Sequence, residues 1–181
     1  VQECIRDRHL TGYVRDIRDG YLVPTAVPET VSETPTTALV TGNWTFGFVT
    51  AKFAVELAID KAAKQNVAVV SVTQVNHIGR LGEYAELAAS HGMVSLIFAS
   101  GYGSQQAMAV PYGGRKAVLN TNPISIGVPS GQEPPMVLDF ATTVIAGSKV
   151  RIALREKLQL PPGSIVDKEG RPTTDPAELY D

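Results

Sequence analysis

Residues 67–99 have the sequence VAVVSVTQVNHIGRLGEYAELAASHGMVSLIFA, which predicts a strand, a helix and a second strand. Residues 67–73 are β-branched and nearly all apolar, which is typical of a strand buried on both faces. The apolar run 93–99 has the same character. Between the two runs, apolar residues recur at helical spacing: Leu81, Tyr84, Ala85 and Ala88. This alternation is the pattern of an α/β domain.

Upstream of this stretch, a longer helix is predicted to begin after Asn43 and to end near Gln65. Its apolar residues are spaced by three and four: Phe48, Ala51, Val55, Ala58 and Ala62. Residues 13–17 predict an earlier helix that stops at Gly20. Between these helices, residues 23–37 are rich in proline, serine and threonine, and they predict an extended connector without a packed element.

Downstream, the pattern changes to short strands between turns. Strands are predicted at 117–119, 124–128 and 136–139, followed by a helix over 141–158. Several short strands of this kind predict a mixed sheet and not a purely parallel one. The expected class is therefore α/β with a mixed sheet.

Composition excludes several classes of protein. The chain has 181 residues, a formal net charge of -2 and 19% charged residues, so it lacks the basic surplus of nucleic-acid-binding proteins. No apolar run approaches the ~20 residues of a membrane helix, and no secretory signal is visible. The single cysteine, Cys4, excludes an intrachain disulfide and predicts a soluble protein of a reducing compartment, the cytoplasm. Neither end resembles a natural terminus, so we expect a fragment.

His77 follows the first buried strand, at the edge where open α/β sheets place their ligands. Histidine titrates near neutrality and can exchange a proton with a substrate oxygen. A histidine that only caps the next helix is the alternative interpretation. The sequence pattern leaves both open.

Two other stretches invite a nucleotide. Gly101-Tyr102-Gly103-Ser104 resembles the start of a phosphate-binding loop, but the third glycine of a dinucleotide fingerprint is replaced by Gln106, so the Rossmann interpretation fails. Residues 139–143 would bind ribose and phosphate at a helix N-terminus, or Asp139 or Thr142 would simply cap that helix. The three histidines are scattered, and no metal site is predicted.

Six segments, in order along the chain, resemble those of the malate/L-lactate dehydrogenase family, which also includes ureidoglycolate, sulfolactate and piperidine-2-carboxylate-type enzymes. The matching segments are 13–17, 76–79, 111–114, 120–124, 137–142 and 167–176. The resemblance implies a three-layer α/β/α fold around a mixed sheet, with a cofactor domain that is not Rossmann-like. It also implies that residues 1–80 are part of a catalytic and dimerisation domain and that 81–181 form an incomplete nicotinamide-binding domain.

The resemblance further implies an oxidoreductase that transfers a hydride between NAD or NADP and a small 2-hydroxy or 2-keto acid, as a homodimer without a metal, nucleic-acid or membrane partner. His77 falls on the family's catalytic histidine. The family's cofactor-binding stretch falls on Asp139, Phe140, Ala141 and Thr142, with Lys149 beside it. Ser100 and Gly101 fall where a substrate contact is expected.

The sequence also departs from the family pattern. A Ser-His-Gly run before an arginine is replaced by Asp7-Arg8-His9-Leu10, and a common substrate-contacting serine is replaced by Gly101. The family also continues past Pro176 into further segments. A truncated nucleotide-binding module without turnover is therefore the alternative function, and a purely structural role is a third.

Overall fold

The structure is a computed structural model that describes residues 10–101, 107–131 and 133–179. Cys4, the Asp7-Arg8-His9 run and Tyr102 to Gln106 of the glycine-rich stretch lie outside the described residues. The described residues divide into two compact units. One contains residues up to Ile97 together with Ser125–Leu138, and the other contains Phe98–Ile124 together with residues from Asp139 onward. The functional division at residue 80 stays a prediction.

The first unit begins with helix α1 (Leu10–Arg18), which confirms the helix predicted around residues 13–17. Gly20 follows in the left-handed conformation with φ 79°, as expected of a residue that ends a helix. Strands β1 (Glu29–Glu33) and β2 (Thr37–Thr41) then pair antiparallel. The prediction of an unstructured connector over 23–37 was therefore wrong. Every residue of β1 is exposed, so this edge strand carries no apolar alternation that would reveal it.

Helix α2 (Gly47–Gln65) confirms the longest predicted helix and packs against β2 and β3 (Val69–Thr73). It ends where expected, because Asn66 takes the left-handed conformation with φ 66° and its N–H bonds to the Ala62 carbonyl at 2.7 Å. Strands β2 and β3 are parallel, so β1-β2-β3 is a mixed sheet. The mixed α/β class is thus confirmed.

Helix α3 (Leu81–Ser90) follows β3 and packs against α2. Its buried side chains are mostly small, which allows a close approach: Leu81, Gly82, Tyr84, Ala85, Ala88 and Ala89. The next sheet has the order β4-β5-β6 and comprises β4 (Ser95–Phe98), β5 (Ile124–Val128) and β6 (Met136–Phe140). At the predicted strand over 117–119, only an isolated bridge joins Leu119 to Ala109.

The strands predicted to be buried on both faces are not buried in this way. Val69 is 61% exposed on β3, and Leu96 and Phe98 are 63% and 67% exposed on β4. Their apolar composition is that of doubly covered strands, but the described residues cover each of these strands incompletely.

The second unit contains helix α4 (Gly147–Glu156), the short antiparallel pair β7 (Ile165–Val166) and β8 (Pro172–Thr173), and a 3₁₀ turn at Pro176–Leu179. Its core is a small cluster of Val150, Ala153, Leu160 and Ile165. The prediction that a helix begins at residue 141 was wrong, because α4 begins at Gly147. Within the described residues, no helix combines the length and apolar character needed to cross a bilayer.

Candidate active site

His77 is an exposed histidine held by a buried tyrosine. It lies in the loop after β3, as the sequence predicted. Its Nδ1 is 2.9 Å from the Oη of Tyr13, a residue of α1 that is 9% exposed. The cap residue of α3 is Arg80, so the interpretation in which His77 caps that helix was wrong. The contact joins an anchored phenol to an imidazole that solvent reaches, an arrangement suited to proton exchange.

The loop that carries His77 is fixed by the amide of its neighbour, Asn76. The Asn76 Nδ2 atom donates to the carbonyls of Trp44 at 2.8 Å, Thr45 at 3.2 Å and Tyr21 at 3.3 Å. One side chain thus ties the residue before His77 to two other segments of the first unit. We infer that Asn76 positions the loop rather than acting on a substrate.

The backbone around this loop is held in uncommon conformations. Asn43, Trp44 and Gln74 have φ values of 48°, 59° and 49°, in the left-handed region that non-glycine residues rarely adopt. The Trp44 N–H bonds to the Gln74 carbonyl at 2.9 Å, so the chain segments after β2 and β3 are joined directly. Residues held in this way cluster at functional sites, because the surrounding structure must enforce them.

Gly47 allows helix α2 to approach this same loop. A Cβ placed on Gly47 would lie 2.1 Å from the Asn76 carbonyl oxygen and 2.4 Å from that of His77. No side chain fits between them. The start of α2 and the backbone of His77 are therefore in direct contact.

Aromatic rings form an apolar wall beside the histidine. The Tyr13 ring lies edge-on to Phe46 with centroids 6.0 Å apart, and its centroid is 6.3 Å from that of His77. Phe46 stacks on Phe48 at 5.2 Å. Such a wall lowers the local dielectric and strengthens polar interactions at the imidazole.

Tyr84 supports the site from below. It lies on α3, is 3% exposed and donates its hydroxyl proton to the carbonyl of Ile78, the residue after His77. Burial raises the pKa of the Tyr84 phenol well above its ordinary value of 10.0, and the nearby Glu83 carboxylate raises it further. The phenol therefore stays protonated and keeps its hydrogen bond through the physiological range.

This shift makes part of the chain's stability depend on alkaline pH. Because the folded pKa of Tyr84 exceeds the unfolded one, its contribution is complete below about pH 10 and is lost as the pH rises above that value. We expect Tyr84→Phe to lower the free energy of unfolding by about 1–2 kcal/mol at neutral pH. That deficit should shrink above pH 10. Urea titrations of both proteins at about pH 7 and 10.5 check this, and an equal deficit at both pH values would contradict it.

Ser100 and Gly101, the predicted substrate contacts, are both exposed in the second unit. The Ser100 hydroxyl donates to Asn122 Oδ1 at 3.2 Å. A Cβ placed on Gly101 would lie 2.3 Å from Asn120 Nδ2, so Asn120 explains why a glycine stands where the family often has serine. The structure thus brings two asparagines to the predicted substrate contacts.

The predicted cofactor stretch also lies in the second unit. Asp139 and Phe140 end β6, and Ala141 and Thr142 continue without helical structure. The Thr142 N–H and hydroxyl both donate to the Thr121 carbonyl, at 3.0 and 3.1 Å. The cap residue of α4 is Ala146, so the proposal that Asp139 or Thr142 caps this helix was wrong.

Lys149, the last predicted cofactor residue, lies exposed in the first turn of α4. No side chain of the cap residue, Ala146, bonds to that turn. A helix N-terminus with a lysine in its first turn suits an anion. In the described part of the chain, no group of three or more histidine, cysteine or acidic side chains could hold a metal ion.

Three supporting residues were not singled out from the sequence. Tyr13 and Asn76 stand within motifs that marked the family resemblance, but no spacing rule connects Tyr13 to a histidine 64 residues away. The same is true of Asn122, which reaches Ser100 across 22 residues. Polar residues inside motifs that match a family were the available signal.

Comparisons with known proteins agree with the resemblance. A family model described as malate/L-lactate dehydrogenase matches residues 8–181. The chain is 40% identical over 169 residues to L-sulfolactate dehydrogenase of Methanocaldococcus jannaschii, covering 93% of this chain and 48% of that protein. It is 36% identical over 172 residues to hydroxycarboxylate dehydrogenase B of Escherichia coli K12, covering 95% of this chain and 47% of that protein.

A solved structure shows the same fold. Delta1-piperideine-2-carboxylate reductase from Pseudomonas syringae pv. tomato superposes with a TM-score of 0.87 at 32% identity, covering 96% of this chain and 51% of that one. The chain spans about half the length of the curated relatives it matches.

Proposed function

The chain belongs to the malate/L-lactate dehydrogenase family, and on that premise we propose that it is part of an oxidoreductase acting on a small 2-hydroxy or 2-keto acid with NAD or NADP. The observation that carries the proposal is the hydrogen bond between the buried Tyr13 and the exposed His77. The aromatic wall of Tyr13, Phe46 and Phe48 and the amide of Asn76 hold this pair in place.

His77 is the proposed acid and base. It accepts the hydroxyl proton when a 2-hydroxy acid is oxidised, and it returns a proton to the keto oxygen in the reverse direction. The bound nicotinamide supplies the hydride chemistry. Tyr13 Oη accepts a hydrogen bond from Nδ1–H of His77 in both protonation states, so the exchanged proton is the one on Nε2. Tyr13 is then a positioning residue that fixes the imidazole tautomer.

The second unit is the proposed cofactor side. The residues there suit a dinucleotide: the Asp139 carboxylate accepts hydrogen bonds from ribose hydroxyls, and Lys149 with the first turn of α4 attracts phosphate. Phe140, Ala141 and Thr142 complete this stretch. Ser100 and Gly101, supported by Asn122 and Asn120, are the proposed contacts of the acid.

Binding of NADH and NADPH to this chain, followed by fluorescence titration, tests the cofactor proposal. Asp139→Ala should weaken binding about tenfold, the value of one or two hydrogen bonds to a charged group. Asp60→Ala, at an exposed position of α2, serves as the matched control and should bind like the wild type. A folded wild type that binds neither nucleotide would contradict this placement of the cofactor. A preference for NADPH would direct attention to Lys149 and Arg151 as partners of the 2′-phosphate.

The Tyr13–His77 pair makes a separate prediction, because the chain contains an internal reference histidine. His91 Nδ1 lies 2.9 Å from the Leu87 carbonyl, which can only accept, so His91 carries its proton on Nδ1. We expect neutral His77 to do the same in the wild type. Tyr13→Phe should move the His77 proton toward Nε2 and leave His91 unchanged. Nitrogen-15 NMR of the imidazoles measures this, and a wild-type His77 protonated on Nε2 would contradict the assigned role of Tyr13.

The family resemblance also supports a homodimer as the assembled form, and the single cysteine supports the cytoplasm as its compartment. The second candidate function, a nucleotide-binding module without turnover, is favoured by one observation: the chain spans only about half of its relatives. Tight nucleotide binding without oxidation of any 2-hydroxy acid, in a polypeptide completed to full length, would select the module.

A further inference from the structure

One face of the β4-β5-β6 sheet is apolar and uncovered. Within the first unit, it is formed by alternate residues of the three strands: Leu96, Ile126, Val128, Met136 and Leu138. We call these five residues the open face. Leu96, Met136 and Leu138 are 63%, 65% and 53% exposed, and the two residues of the central strand are half-buried.

The opposite face of the same sheet is tightly covered by α3. A Cβ placed on Gly127 would lie 2.4 Å from the Ala85 carbonyl oxygen and 2.9 Å from the Ser95 hydroxyl oxygen. Ser125 is fully buried and donates to the Leu138 carbonyl at 3.0 Å. These small residues belong to a sheet that is already packed on that side.

The chemistry of the open face does not match its exposure. A sheet with one solvated face alternates apolar and polar residues, whereas these strands carry leucine, isoleucine, valine and methionine on the outer side. A contiguous apolar patch of this kind marks an interaction surface. The sequence therefore specifies a second covering layer.

We propose that the open face binds the half of the family polypeptide that follows the region this chain matches, which supplies the outer layer of the sheet. The relatives contain about as much polypeptide again as the matched segment, and the matched portion superposes on one of them with a TM-score of 0.87. That additional half is the right size to form a layer on a sheet, and it would complete the three-layer arrangement expected from the sequence. A second copy of this chain would cover the face while leaving that half without a sheet to pack on.

Binding of a complementary fragment tests the proposal. The 181-residue chain is titrated with the half of E. coli hydroxycarboxylate dehydrogenase B that follows the matched region, in a calorimeter. We expect Leu96→Lys and Met136→Lys to weaken binding at least about tenfold, equivalent to ~1.4 kcal/mol. Val31→Lys is the matched control, because Val31 is 58% exposed on β1 of the other sheet. Equal weakening by the control would overturn the proposal.

A second measurement does not require the fragment to fold alone. With Cys4 replaced by serine, Leu96→Cys should react quickly with a maleimide in this chain. The reaction should slow at least tenfold when the chain is fused to the same E. coli half, while Val31→Cys should react alike in both. Equal labelling of Leu96→Cys in both forms would overturn the proposal. So would sedimentation showing a dimer of the wild-type chain that Leu96→Lys dissociates, because a second copy would then occupy the face. None of the five residues belongs to the candidate active site, so failure here leaves the proposed function intact.

Discussion

Replacing His77 by alanine is expected to reduce kcat by about 10²–10⁴-fold, the usual contribution of a positioned acid or base. The measurement uses a catalytically complete polypeptide, residues 1–181 fused to the following half of the E. coli relative, with pyruvate or oxaloacetate as the keto acid. The imidazole is exposed while its Nδ1 contacts Tyr13 at 2.9 Å, so its removal deletes the proton exchange and leaves the supporting phenol in place. The affinity for NADH should change less than twofold, because the proposed cofactor residues belong to the other unit.

The matched control is His91→Ala. His91 is an exposed histidine at the end of α3 that bonds to the Leu87 carbonyl, so its loss should affect the helix terminus and not kcat. His77→Gln keeps the approximate volume and hydrogen-bonding capacity but cannot exchange a proton at neutral pH, and it should be as inactive as the alanine variant. Turnover by His77→Ala at the wild-type rate would refute the proposed mechanism.

The helices were predictable because their burial is periodic and local. In α2, Ala51 is buried, and the exposed Lys52 and Glu56 lie one turn apart with charged atoms at 3.7 Å, as the spacing predicted. The ends also followed from local chemistry, since Asn66 can adopt the left-handed conformation that closes α2. The beginning of α4 did not follow. Thr142 is held by the carbonyl of Thr121, a tertiary contact that no local propensity reveals.

The strands were predicted less well because their burial depends on what lies across them. β1 was missed because its residues are polar and exposed, and only its pairing with β2 makes it a strand. β4 was found, but its faces were predicted to be alike. Composition records the environment that a strand requires, and the open face shows that the described chain provides only part of that environment.

The candidate site was predicted as a position and not as an arrangement. His77 was placed correctly at the end of a strand, since parallel strands bring such residues to one edge. Its partner Tyr13, its apolar neighbour Phe46 and the supporting Tyr84 come from three other elements. Long-range packing selects these partners, and a single sequence holds no record of which distant residues meet.

Gly47→Ala is expected to be the most destabilising small substitution near the site, lowering the free energy of unfolding by about 3 kcal/mol. The added methyl group would lie 2.1 Å from the Asn76 carbonyl oxygen and 2.4 Å from that of His77, and both are backbone atoms that cannot rotate away. Either α2 or the His77 loop must move. Urea denaturation, followed by the fluorescence of the single tryptophan, measures the loss.

Gly12→Ala provides the matched control, because it makes the same chemical change where there is room for it. Gly12 lies within α1, nothing is within 4 Å of the added methyl group, and alanine favours a helix over glycine by about 0.5–1 kcal/mol. The two substitutions should therefore change stability in opposite directions. If Gly47→Ala unfolds at the same urea concentration as the wild type, α2 does not press on the His77 backbone. The loop would then need another explanation for its fixed conformation, and Asn76 with its three carbonyl partners would be the remaining support.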